Sequence, residues 1–373
     1  MKKIKVLQII KSLGRGGAEM LLAELLPLHD HNKFEFHYIY FLPWKDQMVA
    51  ELEHGGGKVV CFAAKNNIQI IRQYNNVIAY IQKHKIDLIH AHLPWAGFIS
   101  RIVRYKIGLP VLYTEHNKQE RYHKITYILN KLSFKYQSAA IAVSKDVAVS
   151  IKDNIKTKIP VHIVLNGVNT GKFKRDVNLG AKIREKYHIP ENAFVVGTIA
   201  VFRFQKRLIE WLQVFKEVAD ADSTLYGVVV GDGILKDEIL RERERLGLTD
   251  KVLFPGLQTN TVDWLSTMDV YMMSSIFEGL PIALLEAMST KCPILTTDAG
   301  GIKEVVNEGV SGLMVPVDNW SELGEKLKLL KSNSELRKSM ALEGRKRVDQ
   351  YFSLARMVTK LEDLYTSTLG VKQ

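Results

Sequence analysis

Two glutamates, Glu278 and Glu286, lie eight positions apart in the stretch SSIFEGLPIALLEAM. Between them, Gly279, Leu280 and Pro281 indicate a helix start, because a proline in the first turn loses no hydrogen bond. Eight helical positions span roughly 12 Å, so the two carboxylates are too far apart to share a proton. The spacing suits two polyhydroxyl groups joined by a phosphate, which free helix amides would bind. The alternative is an N-terminal helix charge at Glu278 and a solvated Glu286.

A cluster of cations lies in the stretch VFRFQKR, near the end of the apolar run 193–202. Arg203, Lys206 and Arg207 fall within five positions, where the first strand of a second sheet is expected to end. Guanidinium offers a planar fork to phosphate oxygens and lysine offers a point charge, so the cluster favours a diphosphate ligand. The alternative is a solvated turn.

A glycine-rich segment, KSLGRGG, follows the first apolar run. Gly14, Gly16 and Gly17 permit a tight turn and a close approach of the backbone to a phosphate, with a helix expected from about Ala18. The spacing matches neither the dinucleotide fingerprint G-x-G-x-x-G nor a P-loop, and a simple tight turn is the alternative.

One histidine, His116, follows the apolar run at 110–114 in the stretch LYTEHNK. Ligands of open α/β sheets bind beyond the carboxyl ends of the strands, where this histidine is expected. The alternative is a loop histidine with no role.

Short apolar runs, most of them separated by amphipathic stretches, recur along the chain and predict parallel sheets covered by helices. The runs are 4–10, 35–41, 58–63, 86–92, 110–116, 139–144 and 161–167, then 193–202, 224–233, 251–256, 269–275, 292–301 and 311–317. The aperiodic segment 166–180 separates two α/β domains. We predict a first domain of residues 1–168, joined by a C-terminal helix at about 353–373, and a second domain of residues 169–352. Two such domains face to face would enclose a cleft.

Positive charge is concentrated in the first half of the chain, where residues 1–168 hold 24 lysines and arginines against 12 acidic residues. Residues 101–135 are especially basic, with apolar side chains interspersed. This segment predicts either an ordinary solvated helix face or a surface that binds anionic lipid or an anionic acceptor. Nucleic acid is a third interpretation, without a recognised binding motif. The basic residues are Arg101, Arg104, Lys106, Lys118, Arg121, Lys124, Lys131 and Lys135.

Several classes of protein are disfavoured by the composition of the 373 residues. No apolar run reaches the roughly 18 residues of a membrane span, and the first run is too short for a signal peptide. Two cysteines make neither a disulfide framework nor a metal set, so we expect a cytoplasmic protein. A metal-binding D-x-D motif lies at the carboxyl end of a strand. The one D-x-D sequence here, Asp220 to Asp222, precedes a predicted strand instead, so we expect no metal cofactor.

These motifs together resemble the retaining glycosyltransferases of family 4, which have the two-domain GT-B fold. The resemblance covers nearly the whole chain and rests on GGAE, NGV, VVVGDG, SSIFEGLPIALLEAM, TTDAGGIKEVV and GVSGLMVPVDN in family order. The E-x7-E pair Glu278 and Glu286 is its most specific mark.

The resemblance implies a role for each candidate residue toward a nucleotide-diphosphate sugar. Glu278 would bind the transferred sugar, Glu286 the ribose, and Lys206 the diphosphate. Backbone at Gly279, Leu280 and Pro281 would position sugar and phosphate, Gly16 and Gly17 would approach the phosphate, His116 would lie near the reacting sugar, and Pro255 to Leu257 would border the base. The family usually has an arginine five residues before the lysine; here that position is Val201, and Arg203 or Arg207 is expected to supply the charge.

The resulting prediction is a metal-independent, retaining hexosyltransferase that uses UDP-sugars in preference to GDP-sugars. Its acceptor would be a glycan or lipid-linked glycan in polysaccharide synthesis, at the inner face of a membrane, and nucleic acid is not an expected partner. The alternatives are a nucleotide-sugar epimerase or phosphorylase of the same fold, and an inactive binding subunit, which Val201 favours.

Overall fold

A computed structural model describes residues 3–371 of the chain. The chain forms two compact units: the first runs through Asn166 and resumes at Leu354, and the second is Gly167–Ser353. The sequence analysis places this division at residues 168 and 353. Residues 1, 2, 372 and 373 of the predicted first domain lie outside the described residues.

The first unit is built on a seven-stranded parallel sheet. Its strands are β1 (Ile4–Ile9), β2 (Phe34–Tyr40), β3 (Lys58–Cys61), β4 (Leu88–His92), β5 (Val111–Glu115), β6 (Ala139–Ala142) and β7 (Val161–Ile163). Their order is β3-β2-β1-β4-β5-β6-β7, so the sheet extends in opposite directions from β1. A ligand crevice is expected where the order reverses, beyond the carboxyl ends of β1 and β4.

Helices connect these strands. They are α1 (Gly17–Leu25), α2 (Val49–His54), α3 (Asn67–Arg72), α4 (Tyr74–His84), α5 (Leu93–Ile107), α6 (Lys124–Ser133) and α7 (Lys145–Ile155). Short 3-10 helices occupy Leu26–Leu28, Gln119–Arg121 and Phe134–Tyr136.

The second unit repeats the architecture with six strands. They are β8 (Phe194–Ile199), β9 (Leu225–Val230), β10 (Val252–Leu253), β11 (Val270–Met273), β12 (Ile294–Thr297) and β13 (Leu313–Val315). The order is β10-β9-β8-β11-β12-β13, so the corresponding reversal lies between β8 and β11.

The helices of the second unit follow its strands in the same way. They are α8 (Val177–Lys186), α9 (Leu208–Ala221), α10 (Lys236–Arg245), α11 (Thr261–Thr267), α12 (Ile282–Ser289), α13 (Ile302–Val305), α14 (Leu323–Ser332) and α15 (Ser334–Tyr351), with 3-10 helices at Phe204–Lys206 and Val317–Glu322. The last helix, α16 (Leu354–Thr368), returns to the first unit.

Two Rossmann-like α/β units are therefore confirmed, and each of the thirteen apolar runs overlaps one strand. The central strands β4, β5, β6, β11 and β12 are buried at every position, which is why they appear in the sequence as mainly apolar runs. Some runs extend beyond the strand. The run 193–202 continues past the end of β8 because Phe202, in the following loop, is also buried.

The loops after β8, β9 and β10 are hydrogen-bonded to one another at the carboxyl edge of the second sheet. Phe202 N donates to Asp232 O at 2.9 Å, and Gly231 N donates to Gly256 O at 3.0 Å. Gly231 has φ of 141°, and a Cβ built on it would overlap the carbonyl oxygen of Ala200. Only glycine permits this close approach, which supports the loop that carries Arg203 and Lys206.

We expect Gly231→Ala to lower the free energy of unfolding by about 3 kcal/mol or more, because the methyl group collides with backbone that cannot yield. The matched control is Gly247→Ala, at φ of 68° with open space around the Cβ position. There only the left-handed conformation is penalised, by about 1–2 kcal/mol. Urea unfolding measures both; equal losses would contradict the steric explanation.

Candidate active site

Lys206 and Glu278 meet at the carboxyl edge of the second sheet. Lys206 ends the 3-10 helix that follows β8, and Glu278 lies between the neighbouring strand β11 and α12. Lys206 Nζ donates to Glu278 Oε1 at 2.5 Å, and Ser275 Oγ donates to the same oxygen at 2.7 Å. The two side chains are 18% and 11% exposed. The structure thus brings together the residue predicted to bind the diphosphate and the residue predicted to bind the sugar.

Hydroxyl and amide groups hold the two loops in register beneath this pair. Ser274 Oγ lies 3.0 Å from Lys206 O and 2.8 Å from Arg207 O. Ile276 N donates to Gln205 O at 2.8 Å. Ser274 is buried, so these contacts are shielded from water. The position of Lys206 is therefore fixed by the β11 loop through backbone as well as through Glu278.

Helix α12 places Glu286 next to the same strand. The helix starts at Ile282 with Pro281 as its N-cap, one residue later than a proline in the first turn would require. Glu286 lies in the second turn and is buried, so the alternative of a solvated Glu286 is wrong. Burial raises the pKa of Tyr271 in β11, and the negative charges of Glu286 and Glu278 raise it further. Both carboxylates therefore act electrostatically on the Tyr271 hydroxyl.

The other residues predicted to contact a nucleotide sugar lie just before α12 and in the loop after β10. Leu280 and Pro281 are buried and Gly279 is half-buried. Pro255 and the exposed Leu257 lie in the loop after β10, at the same edge of the sheet. The parallel order places these residues along one edge of the sheet.

In the first unit, Gly16 is the N-cap of α1 and Gly17 is its first residue, close to the helix start expected at Ala18. Gly16 offers no side-chain cap, so the first amides of α1 are free of one. His116 follows β5 directly, as predicted, and is half-buried.

A buried chain of polar side chains, which we call the histidine chain, leads from His116 into the first sheet. His92, at the end of β4, has Nδ1 3.5 Å from His116 Nε2 and Nε2 2.8 Å from Gln8 Oε1. Gln8 Nε2 donates to the Tyr365 hydroxyl at 3.2 Å, and that hydroxyl lies 2.8 Å from His90 Nδ1. The chain joins β1, β4, β5 and α16.

Donor and acceptor roles assign the tautomers in this chain. Gln8 Oε1 only accepts, so His92 carries its proton on Nε2 and accepts on Nδ1. His116 must then donate from Nε2, which leaves its Nδ1 free to accept. Burial lowers the pKa of His116 to about 4 and of His90 to about 3, and lowers the pKa of His92 well below its usual value. All three imidazoles are neutral at neutral pH.

His92, Gln8 and the serines of the β11 loop are not among the residues predicted from the sequence. A signal was present for His92, since the run at 86–92 ends on it at the carboxyl end of a strand. No such signal marks Gln8, because its contact with His92 depends on the pairing of β1 with β4, in which Gln8 lies opposite His90.

Models of two families match the chain in succession. "Glycosyltransferase Family 4" matches residues 15–172 and "Glycosyl transferases group 1" matches residues 181–347. The chain belongs to the family 4 glycosyltransferases.

Similar proteins include curated glycosyltransferases and a solved structure. The UDP-Gal:alpha-D-GlcNAc-diphosphoundecaprenol alpha-1,3-galactosyltransferase of Escherichia coli is 24% identical, over 80% of this chain and 81% of its own. The capsular polysaccharide biosynthesis glycosyltransferase CapM of Staphylococcus aureus is 26% identical, over 79% and 80%. The Anabaena Alr3699/HepE crystal structure in complex with UDP and glucose has a TM-score of 0.88 at 20% identity, over 98% of this chain and 100% of its own. This likeness shows the GT-B fold.

This family 4 glycosyltransferase has Val201 five residues before Lys206, where an arginine is expected. Arg207 has φ of 48°, and its Nη1 donates to Val317 O at 2.6 Å. Its guanidinium is therefore engaged by the backbone of its own unit. Arg203 is exposed. Of the two candidates, Arg203 is the one whose guanidinium faces solvent.

The eight basic residues of the segment 101–135 do not form one surface in this glycosyltransferase. Arg101 is only 2% exposed, so its assignment to a membrane or acceptor surface is wrong. Its guanidinium is held inside by Asn130, Ser133 and Gln137, each at 2.8 Å. Arg104 donates to Ser138 Oγ at 2.7 Å, and Lys118 pairs with Asp146 at 3.0 Å. Exposed members are Lys106, Arg121, Lys124, Lys131 and Lys135.

Among residues 3–371, no helix combines the length and apolar character that crossing a bilayer requires.

We expect the first unit to lose stability as the pH falls from about 6.5 toward 4. The unfolded chain has histidine pKa values near 6.5, whereas His116 and His90 have values of about 4 and 3, so the unfolded state binds more protons in this window. The loss is up to about 1.4 kcal/mol per histidine per pH unit. Hydrogen exchange of the β4 amides measures it in the first unit alone.

The variant His90→Asn should flatten this pH dependence, because one of the buried titrating groups is removed. The control His31→Asn replaces an exposed histidine and should leave the slope unchanged. Identical slopes for the wild type and His90→Asn would show that the histidine chain does not govern acid stability.

Proposed function

We propose that the protein transfers a hexose or N-acetylhexosamine from a UDP-sugar, with retention and without a metal, to a glycan or lipid-linked acceptor in polysaccharide or glycoconjugate synthesis. The observation that carries the proposal is the Lys206–Glu278 pair at the reversal between β8 and β11. In the proposed roles, Lys206 would bind the diphosphate and Glu278 the sugar hydroxyls, on the two sides of the bond that a glycosyl transfer breaks.

The leaving group of such a reaction is a nucleoside diphosphate. Lys206 and the exposed Arg203 would stabilise its developing charge, and Arg207 would support their loop from its bond to Val317 O. Backbone at Gly279, Leu280 and Pro281 would position sugar and phosphate. Glu278 would orient the sugar through its hydroxyls.

Metal independence is supported by the position of the one D-x-D sequence. Asp220 lies in the last turn of α9, and Asp222 caps that helix before β9 begins. Asp222 accepts from Lys331, which lowers the pKa of that carboxyl to about 2. Both aspartates lie at the amino edge of the sheet, whereas Lys206 and Glu278 lie at the carboxyl edge.

UDP is favoured as the donor nucleotide by the similar proteins, since one names UDP-Gal as its substrate and a solved neighbour contains UDP. Glu286, buried beside β11, would hold the ribose, and the loop of Pro255 and Leu257 would border the base. Gly16 and Gly17 would approach a phosphate, and neutral His116 would hydrogen-bond the transferred sugar.

A lipid-linked acceptor is favoured because the E. coli relative acts on a diphosphoundecaprenol acceptor. We therefore propose a cytoplasmic location with peripheral binding to an anionic membrane. Support comes from the exposed lysines Lys106, Lys124, Lys131 and Lys135 of the first unit.

Nucleotide binding tests the donor. We expect calorimetry in the presence of EDTA to detect UDP and UDP-sugars, with GDP and ADP binding at least about tenfold more weakly, a difference of about 1.4 kcal/mol. Binding that requires added magnesium would contradict metal independence. No binding of any nucleotide would favour the inactive subunit that Val201 suggests, and conversion of a UDP-sugar without an acceptor would favour an epimerase.

Glu278→Gln tests the catalytic assignment. Glutamine keeps the shape and the contact with Ser275 but loses the charge, so we expect turnover to fall by about 10²–10³ while UDP affinity stays within about threefold. The matched control is Glu335→Gln, an exposed carboxylate paired with Lys338 on α15. Unchanged turnover in Glu278→Gln would contradict the assigned role.

A further inference from the structure

Helix α6 of the first unit presents apolar side chains to solvent. Ile125, Ile128, Leu129 and Leu132 follow the spacing of one helical face and are 40–67% exposed. A contiguous exposed apolar face of this kind indicates a surface that binds a partner or a membrane.

The opposite face of α6 is polar because it closes a buried charge network. Asn130 accepts from Arg101 Nη1 at 2.8 Å and donates to Gln119 Oε1 at 2.7 Å and Glu115 Oε2 at 3.5 Å. Glu115 is fully buried and also accepts from Tyr113 at 2.9 Å. Turning the apolar face inward would leave a buried carboxylate and a buried guanidinium without their partners. The outward apolar face is therefore a fixed feature of the fold.

An apolar cavity of about 430 Å³ opens between α5 and α6. That volume is within the range of small-molecule sites. Arg101 lines the inner wall, where its guanidinium lies over the rings of Tyr113 and Phe134 at 4.7 and 5.1 Å. The other wall residues used here are Trp95, Phe98 and Ile102.

The mouth of the cavity is aromatic, and a lysine is the sequence neighbour of each of its tyrosines. Tyr105, Leu129 and Tyr136 both line the cavity and are exposed. Tyrosines favour the boundary between water and hydrocarbon. Lys106 follows Tyr105 directly, and Lys135 lies 5.1 Å from the Tyr136 ring. Lys124 and Lys131 flank the apolar face on α6 itself.

We propose that this cavity takes a hydrocarbon chain of an anionic membrane lipid. The inference rests on the membrane binding proposed above and adds a defined site to it. The walls are mainly apolar, which favours a hydrocarbon chain, and the lysines at the mouth match a negative headgroup that stays in water. Entry of one chain would let the apolar face of α6 lie against the bilayer surface.

Trp95 in the cavity wall provides a direct readout. Vesicles of phosphatidylglycerol with bromine in the middle of the acyl chains should quench Trp95 fluorescence, whereas unbrominated vesicles should not. The variant Trp95→Phe should lose this quenching, and Trp44→Phe, which removes an exposed tryptophan of the same unit, should keep it. Vesicles of neutral phosphatidylcholine should bind and quench at least about tenfold more weakly.

A matched pair of substitutions separates the cavity from the surface. Ile102→Phe fills the cavity and should abolish quenching and weaken vesicle binding roughly tenfold, the equivalent of about two buried methylenes. Ile128→Phe adds the same ring on the exposed face outside the cavity and should retain both. If thermal melting shows that Ile102→Phe is unfolded, Leu129→Phe at the mouth replaces it.

Several outcomes would overturn the inference. Vesicle binding without quenching of Trp95 would leave the membrane proposal standing and refute the cavity site. No binding to anionic vesicles would refute both, while UDP binding and transfer to a soluble acceptor are measured separately. A lipid-free dimer in ultracentrifugation that Ile102→Phe dissociates would assign the face to a second copy of the chain.

Discussion

In a sheet whose strands are all parallel, the chain leaves every strand at the same edge. The order of strands in both sheets adds a point where successive connections leave in opposite directions, at β1 and β4 and again at β8 and β11. The strand order thereby brings residues that are far apart in sequence next to each other. Lys206 and Glu278 are 72 positions apart and share a hydrogen bond for this reason.

The Lys206–Glu278 pair is a consequence of that placement and also a requirement of the proposed reaction. A cation or a carboxylate that is mostly screened from water would be unfavourable without a partner. In this pair each charge compensates the other. The buried hydroxyl of Ser274 and the backbone bond from Ile276 hold the loops in place before any substrate arrives. Charges held in this way need little reorganisation when negative charge develops on a leaving group.

The first unit uses buried polar side chains to hold its site. Tyr365, on the returning helix α16, is fully buried and joins Gln8 of β1 to His90 of β4. The same helix places Glu362 against His29, with 2.9 Å between His29 Nδ1 and Glu362 Oε1. These specific bonds hold the last helix in the first unit. The network of Arg101, Asn130 and Glu115 determines in the same way which face of α6 remains exposed.

Local pattern was sufficient for much of the fold and for part of the candidate site. Mainly apolar runs predict the strands because a strand buried on both faces has no side that faces water. The E-x7-E spacing and the cation cluster identify Glu278, Glu286 and Lys206, since both lie directly after predicted strands.

The tertiary structure decided which polar residues are buried and what they contact. Arg101 looks like a surface cation in sequence, yet its partners Asn130 and Gln137 lie 29 and 36 positions away and draw it inside. Arg207 bonds to Val317, 110 positions on, and His92 is oriented by Gln8, 84 positions before it. Periodicity reports only the average environment of a segment, whereas the burial of a charge depends on the particular partners that the fold brings to it.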